Sequence, residues 1–402
     1  MSRQLLSHSP DLQRLRDEGY EIGFKSGMLT FGLPYVNRAG QVAHGYLVSS
    51  LEAEGDRTAT PSDHTVFFVG ATQAADDQPC DSTGEPLLDL MNNPNGPIPV
   101  ATDLMASCQF SQKPQPSGHY TDYFDKMTTY AAMLLAHVLV LDPAAKLQNF
   151  LPMATEEGES VHMYFDSASS RARIGAVSDK TKNQKIAIIG LGGTGSFVLD
   201  ALTKTHVAEI HLYDGDEMKT HNAFRAPGAI TLTELQAKPF KVEHHQRKYE
   251  ALHRYITAHP AHIGEENFDE LRGLDCVFVC IDGGSIKKAL FDKLQEFSVP
   301  FIDTGMDIGQ SGDSLGGILR TTRVVPGQVD PQWVQDNLSF AEPLDDDYDQ
   351  NIQVVELNML NAALAVIAWK KHIGFYRDYI QEIESDYTID GNLITKVPND
   401  ED

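Results

Sequence analysis

Cysteine is scarce, with four in 402 residues, at positions 80, 108, 276 and 280. They are too few and too scattered for a disulfide framework. No CxxC pair occurs, which excludes a four-cysteine zinc site. Basic residues are in deficit: 32 Lys and Arg against 57 Asp and Glu, for a formal net charge of −25. Sequence-independent binding to DNA or RNA runs on cations that neutralise phosphates, so this balance argues against nucleic acid as a partner and against an anionic membrane surface. The acid excess is spread out. Residues 1–165 hold 9 bases and 20 acids and residues 166–402 hold 23 and 37, so neither half is a basic arm or an acidic tail. No apolar run approaches the roughly 20 residues that cross a bilayer. The first stretch, MSRQLLSHSPDLQRLRDEGYEIG, is polar and amphipathic and does not read as a signal peptide. These absences set the expectation of a reduced, cytoplasmic protein with no nucleic acid, membrane or zinc among its partners.

What is present is a globular composition, 41% hydrophobic and 22% charged, on a chain long enough for two or three domains. Residues 4–23 read as a short helix. From 28 to 70 the runs MLTFGLPYV, QVAHGYLVSSL and HTVFFVG are strand-like and separated by turn residues. Residues 71–120 are rich in Pro, Gly, Asp, Asn and Ser and read as long loops. The segment 120–141 has helical length and apolar spacing, and Asp142-Pro143 stops it. A domain boundary is placed near 160–170, giving a smaller α+β domain over 1–165 and a second domain over 166–402. In the second, strands are expected at 185–190, 209–214, 275–282 and 299–305. Helices are expected after the first strand, at 239–256, after the third strand, and at 354–374. Alternation of strand and helix implies a doubly wound, mostly parallel sheet with helices on both faces.

The first chemical signal is Gly190-Leu-Gly192-Gly193-Thr-Gly195, which follows a strand and opens a helix. Glycines there let the backbone approach a phosphate, and the free N–H groups of the helix start favour an anion. Asp214 ends the second strand, where a carboxylate suits a ribose. These features alone fit a dinucleotide-dependent oxidoreductase equally well, or a turn that merely packs helix on strand. The set that follows is more specific: Asp214-Gly-Asp216, then Asn222 and Arg225 in His-Asn-Ala-Phe-Arg, then Lys241-Val-Glu, then Cys280-Ile-Asp282 closing the third strand.

In this order the ten positions Gly190, Gly192, Gly193, Gly195, Asp214, Asp216, Asn222, Arg225, Lys241 and Asp282 resemble the ThiF/MoeB family of adenylating enzymes, which includes the ubiquitin-activating enzymes. Met306 and the helix over Asn358–Lys371 resemble it as well, and the resemblance spans about residues 166–376. It implies a Rossmann-like, ThiF-type fold, ATP and Mg²⁺ as cofactors, and adenylation of the C-terminal glycine of a ubiquitin-like or sulfur-carrier protein. By the same resemblance Arg225 and Lys241 hold phosphates, Asp282 holds Mg²⁺ and Asp214 takes the ribose. Asp216 and Asn222 position phosphate, metal or the incoming carboxylate. Family members often borrow an arginine across a homodimer, and Arg171, with Arg173 as rival, lies in the matching region. The chemistry agrees, because both reactants are anions and their union needs gathered positive charge.

Each residue also has a plainer reading. Asp282 suits a helix cap, Lys241 a solvated helix face with Lys238 as rival for the phosphate role, and Asn222 and Arg225 a loop lining. Other functions stay open: adenylation of a small molecule or tRNA base, an NAD-dependent oxidoreductase, or a scaffold without catalysis. The family's glutamine after the arginine is Ala226 here. No cysteine occurs after residue 282, so a thioester on the crossover segment is not available. Cys276 and Cys280 read as core thiols, and Cys80 and Cys108 as small packed residues. Any covalent intermediate in the second domain would then be an ester on Thr321, Thr322 or Ser339, with Asp336 or the run Asp345-Asp346-Asp347 as nearby acids. The first domain resembles one that precedes ThiF-like domains in some bacteria. Its cluster of His119, Tyr120, Asp122 and Tyr123 suits helix-start packing as well as any site.

Overall fold

The computed structural model describes residues 5–6, 8–101, 104–282, 284–338 and 352–398. Contacts divide the chain into two compact units, Met1–Met153 with Ser170–Ala172, and Ala154–Ser169 with Arg173–Asp402.

The first unit is built on a six-stranded antiparallel sheet, in spatial order Glu21–Lys25, Met28–Val36, Val42–Ser50, Thr65–Val69, Cys108–Ser111 and Met91–Asn93. Period-two alternation in these runs buries Leu29, Phe31, Leu33, Val48, Val66 and Phe68. The helix Tyr123–Leu141 packs on strand Met28–Val36. It starts where the Asp122 side chain accepts from the Asp125 N–H at 2.8 Å. By length and composition this helix is apolar enough to cross a bilayer, a feature missing from the reading of the sequence, while its buried face carries Lys126. The Lys126 ammonium donates to Ser49 Oγ (2.9 Å) and to the Asp63 carbonyl (2.7 Å), and burial pulls its pKa down to about 8. The polar-aromatic cluster is structural: Asp122 caps, the Tyr120 hydroxyl donates to the Gln112 carbonyl, and the Tyr123 hydroxyl accepts from the Glu52 N–H.

Two expectations for this unit are corrected. The expected helix over 4–23 is interrupted and shorter: Leu5, Leu6 and His8 are helical, Ser9 is not, and the helix Pro10–Asp17 stops before Gly19 (φ +85°), with a strand beginning at Glu21. The supposed loop region 71–120 contains four strands of three or four residues, too short and too proline-interrupted to show a period.

The second unit carries an eight-stranded sheet with helices on both faces. Its elements are β1 (Lys185–Ile189), α1 (Gly193–Leu202), β2 (Glu209–Tyr213), α2 (Lys241–Tyr249), β3 (Ile256–His259), β4 (Cys276–Val279), α3 (Ser285–Glu296), β5 (Phe301–Ser311), β6 (Ser314–Val324), α4 (Val355–His372), β7 (Glu382–Thr388) and β8 (Leu393–Pro398). The spatial order is β3-β2-β1-β4-β5-β6-β7-β8. The first five strands in that order are parallel and the last three are antiparallel additions. Strands β1 and β4 are buried on both faces, hence the unbroken apolar runs KIAII and CVFV. Their side chains alternate between two cores. Ile186, Ile188, Cys276 and Phe278 meet α1, α2 and α4, with Trp369 fully buried among them. Ala187, Ile189, Val277 and Val279 meet Leu290, Phe291 and Leu294 of α3. The expected helix 239–256 is shorter, and β3 lies where its end and a loop were expected. A four-residue strand at the sheet's edge, flanked by His and Pro, gives almost no sequence signal.

The chain runs outward from β1 through β2 to β3, then returns to the other side of β1 for β4 and β5. That reversal lies between β1 and β4. In open parallel sheets ligands bind beyond the carboxyl ends of the strands at such a reversal.

Candidate active site

A cavity of about 420 Å³ opens at this place, within the usual range for small-molecule sites. Its lining comes from the turn after β1, the ends of β2, β4 and β5, and the starts of α2 and α4.

The glycine turn divides by cause. Gly190 leaves β1 with φ +89°, and a Cβ there would lie 2.5 Å from the Cys280 carbonyl oxygen. A Cβ on Gly193 would meet the Asn358 side chain at 2.3 Å, and one on Gly195 the Gly190 carbonyl oxygen at 1.9 Å. Packing alone therefore demands these three. Gly192 is different: its φ is −74° and a Cβ there meets nothing within 4 Å. It lines the cavity, at the N-cap of α1. Nothing in the fold calls for glycine at that position, whereas a ligand lying against the backbone would. Helix α4 braces the turn from behind. Thr194 Oγ1 donates to Asn358 Oδ1 (3.0 Å), and Asn361 Nδ2 donates to the Gly305 carbonyl (3.0 Å).

Beyond β2, Asp214 is buried and accepts from the Leu191 N–H (2.7 Å) and the Asp216 N–H (2.9 Å). Lys241, in the first turn of α2, is buried as well. Its Nζ lies 2.6 Å from Asp216 Oδ2 and 3.4 Å from Asp214 Oδ2. Burial works to raise the Asp216 pKa, but the Lys241 ammonium outweighs it and holds the carboxyl below the usual range. Asp282 is exposed at the end of β4, on the opposite wall, and Arg225 also lines the cavity.

Nine of the ten motif positions line or build this cavity. Gly195 contributes by letting α1 start against Gly190, and Gly190, Gly192, Gly193, Asp214, Asp216, Arg225, Lys241 and Asp282 line it directly. Asn222 is the exception. It is buried and its Oδ1 accepts from the Lys219 N–H (2.9 Å), so it shapes the loop that presents Arg225. Lys238 is exposed and outside the cavity lining, which separates it from Lys241. Arg171 ends the short helix Ser167–Arg171 and is exposed, and neither it nor Arg173 is among the lining residues.

Two of the three hydroxyls suggested by sequence are not accessible. Thr321 and Thr322 are 3% and 0% exposed, engaged with Asn361 and with Glu384. As neighbours in strand β6 they face opposite sides of the sheet, and each is buried on its own side. Ser339 and Asp345-Asp346-Asp347 lie outside the described residues, and Asp336 is exposed on the helix Pro331–Asn337. Burial pushes the thiols of Cys80, Cys108 and Cys280 up to about 11, 12 and 12, and raises that of Cys276 further. Cys280 nevertheless lines the cavity.

Several lining residues were not read from the sequence: Tyr213, His262, Ile263, Thr304, Gly305 and Asn361. Tyr213 ends β2, so a strand boundary marks it, whereas Thr304 and Gly305 lie inside β5, just past its parallel pairing with β4, which ends at Asp303. His262 follows the short strand β3 and had no signal. Its exposed ring lies 3.8 Å from Asp216 Oδ1, and Asn267 fixes its loop by donating to the His262 carbonyl (3.0 Å).

Residues 169–315 match the model of the ThiF family, and residues 10–167 match a domain of unknown function, DUF6791. The chain is 26% identical over 173 residues to ubiquitin-like modifier-activating enzyme 5 of Rattus norvegicus, covering 39% of this chain and 40% of that protein. To the protein of the same name from Culex quinquefasciatus it is 23% identical, covering 33% and 37%. The chain thus spans less than half the length of the curated relatives it matches. Among solved structures, E. coli MccB with AMPCPP and selenomethionyl MccA shows a TM-score of 0.45 at 20% identity, over 56% of this chain and 65% of that one.

Proposed function

We propose, on the premise that residues 169–315 form a ThiF-family domain, that the protein is an ATP-dependent adenylyltransferase. In this reading it activates the C-terminal glycine carboxylate of a ubiquitin-like or sulfur-carrier protein and releases pyrophosphate. The observation that carries the reading is the convergence of Arg225, Lys241 and Asp282 with the bare Gly192 in one cavity at the reversal point of the sheet. Hydride transfer needs no such pair of cations facing a carboxylate. A ubiquitin-like acceptor follows what the relatives named ubiquitin-like modifier-activating enzyme 5 are said to activate, and a sulfur carrier follows from the resemblance to the ThiF/MoeB family.

The residues fit a magnesium nucleotide. Three carboxylates (Asp214, Asp216, Asp282) face two fixed cations (Arg225, Lys241), a formal balance of 2 − 3 = −1. A tetra-anionic nucleotide therefore needs a divalent ion beside it. Asp282 would hold Mg²⁺, a hard cation that takes carboxylate oxygen and, when bound, neutralises phosphate charge. The Gly192 turn would receive phosphate on its backbone N–H groups. Arg225 would clamp phosphate oxygens as a planar fork and Lys241 as a point charge. The acceptor carboxylate displaces pyrophosphate from the α-phosphorus, and the protein's part is to hold both anions in line; no protein nucleophile is required.

Two measurements test this. Mg²⁺–ATP raises the melting temperature and NAD does not, since a ligand stabilises the state that binds it. Exchange of labelled pyrophosphate into ATP occurs with an acceptor ending in glycine and is lost in Asp282→Ala, whose circular dichroism and melting curve stay those of the wild type. Stabilisation by NAD alone overturns the reading.

A further inference from the structure

Helix α3 begins just beyond Asp282, and its first turn contains Lys287 in place of the acid that a helix start favours. Lys287 is 3% exposed. Its Nζ lies 2.7 Å from Oδ1 of Asp303, which is 0% exposed, in strand β5. Both charges have left water, and one of them opposes the helix dipole. Two apolar side chains of like volume would be at least as stable there, so the pair is poorly explained as a source of stability.

Its location explains it better. Lys287 follows Ile286, which lines the cavity beside Asp282, and Asp303 precedes Thr304, Gly305 and Met306, which line it from β5. Arg320 backs the same strand: its Nη2 would lie 3.2 Å from a Cβ on Gly305. The pair therefore ties the wall bearing Asp282 to the wall formed by β5, at the depth of one residue behind the lining. We propose that Lys287 and Asp303 are positioning residues that fix the Asp282 carboxylate relative to the floor of the nucleotide site, and so set its affinity for the divalent cation. This rests on the adenylation reading and adds to it a residue pair that touches neither substrate nor metal.

The test replaces the pair by apolar side chains. Lys287→Met/Asp303→Leu keeps a melting temperature within a few degrees of the wild type. In pyrophosphate exchange its half-saturating Mg²⁺ concentration rises at least tenfold, while the KM of the acceptor changes less than twofold. Lys287→Arg, which keeps the pair, stays near the wild type. A double variant with wild-type Mg²⁺ dependence overturns the proposal. Should that variant not fold, Asp303→Asn, read below its own melting temperature, decides with the same two outcomes. Calorimetric titration with Mg²⁺–ADP separates the levels. A wild type that binds nothing overturns the adenylation reading itself. Equal binding by wild type and double variant overturns only the role of the pair.

Discussion

The glycine turn allows a prediction that separates ligand binding from packing within six residues. Gly192→Ala adds a methyl group where nothing lies within 4 Å. With no overlap to relieve, its effect on folding stays within about 1 kcal/mol. Gly195→Ala places a methyl 1.9 Å from the Gly190 carbonyl oxygen, an overlap with backbone that no rotamer relieves. Overpacking of this kind costs about 1–3 kcal/mol or more. The nucleotide reverses the order. If phosphate lies against Gly192, the added methyl holds it away from one charge-assisted N–H bond worth about 1.5–3 kcal/mol, a loss of roughly 10- to 150-fold in affinity. Thermal unfolding and calorimetric titration with Mg²⁺–ATP on the two variants read both effects. The expected result is a Gly192→Ala protein clearly more stable than Gly195→Ala that nevertheless binds ATP at least tenfold more weakly than the wild type. Wild-type affinity in that variant refutes the placement of phosphate at Gly192.

Acid sensitivity follows from two buried histidines. Burial pushes His245, whose ring nitrogens have no hydrogen-bond partner, down to about 3, and His253 down to about 4, from an ordinary 6.5. Both are neutral when folded, so the unfolded chain takes up their protons first. Stability is full above pH 6.5 and declines as pH falls toward those values, by about 1.4 kcal/mol per pH unit for each. His245→Leu removes one of the two contributions, and urea titrations at pH 7, 6 and 5 show a shallower decline; an unchanged slope counts against this account. On the adenylation reading, trapping the protein with an acceptor gives no covalent adduct, because Thr321, Thr322, Cys80, Cys108 and Cys276 are buried and burial pushes the thiol of Cys280, which lines the cavity, up to about 12. An adduct labile to thiol or to hydroxylamine contradicts that, and mapping it to Ser339 assigns the nucleophile to a residue outside those described. Mixed Arg171→Ala and Asp282→Ala subunits recover activity at about a quarter of sites if Arg171 acts across a two-fold dimer. Exchange of subunits without recovery removes Arg171 from the site.

The site was more legible than its surroundings because the demands on it are local and chemical. A glycine turn, an acid at a strand end and a lysine opening a helix occupy fixed offsets from β1, β2 and α2, and long apolar strands such as KIAII set the frame. What escaped was decided by tertiary context. Strand β3 has four residues and is recognisable only beside β2. Asn222 resembles a ligand in sequence, yet its amide oxygen serves its own loop. Thr321 and Thr322 look like available hydroxyls until pairing with β5 and β7 closes over them. Lys287 carries no signal in the sequence, and only its contact with Asp303 shows that it points inward.

Thr194 meets Asn358 across 164 positions of sequence, and Asn361 reaches back to Gly305 across 56. During synthesis the phosphate turn, both cations and Asp282 all leave the ribosome well before the helix that holds the turn in place. A nascent chain ending short of Val354 carries every motif position and has no wall at Gly193. On the adenylation reading, competence for nucleotide arrives late and at one stroke, when α4 docks, and a product terminated before Val354 does not compete with the full-length protein for ATP.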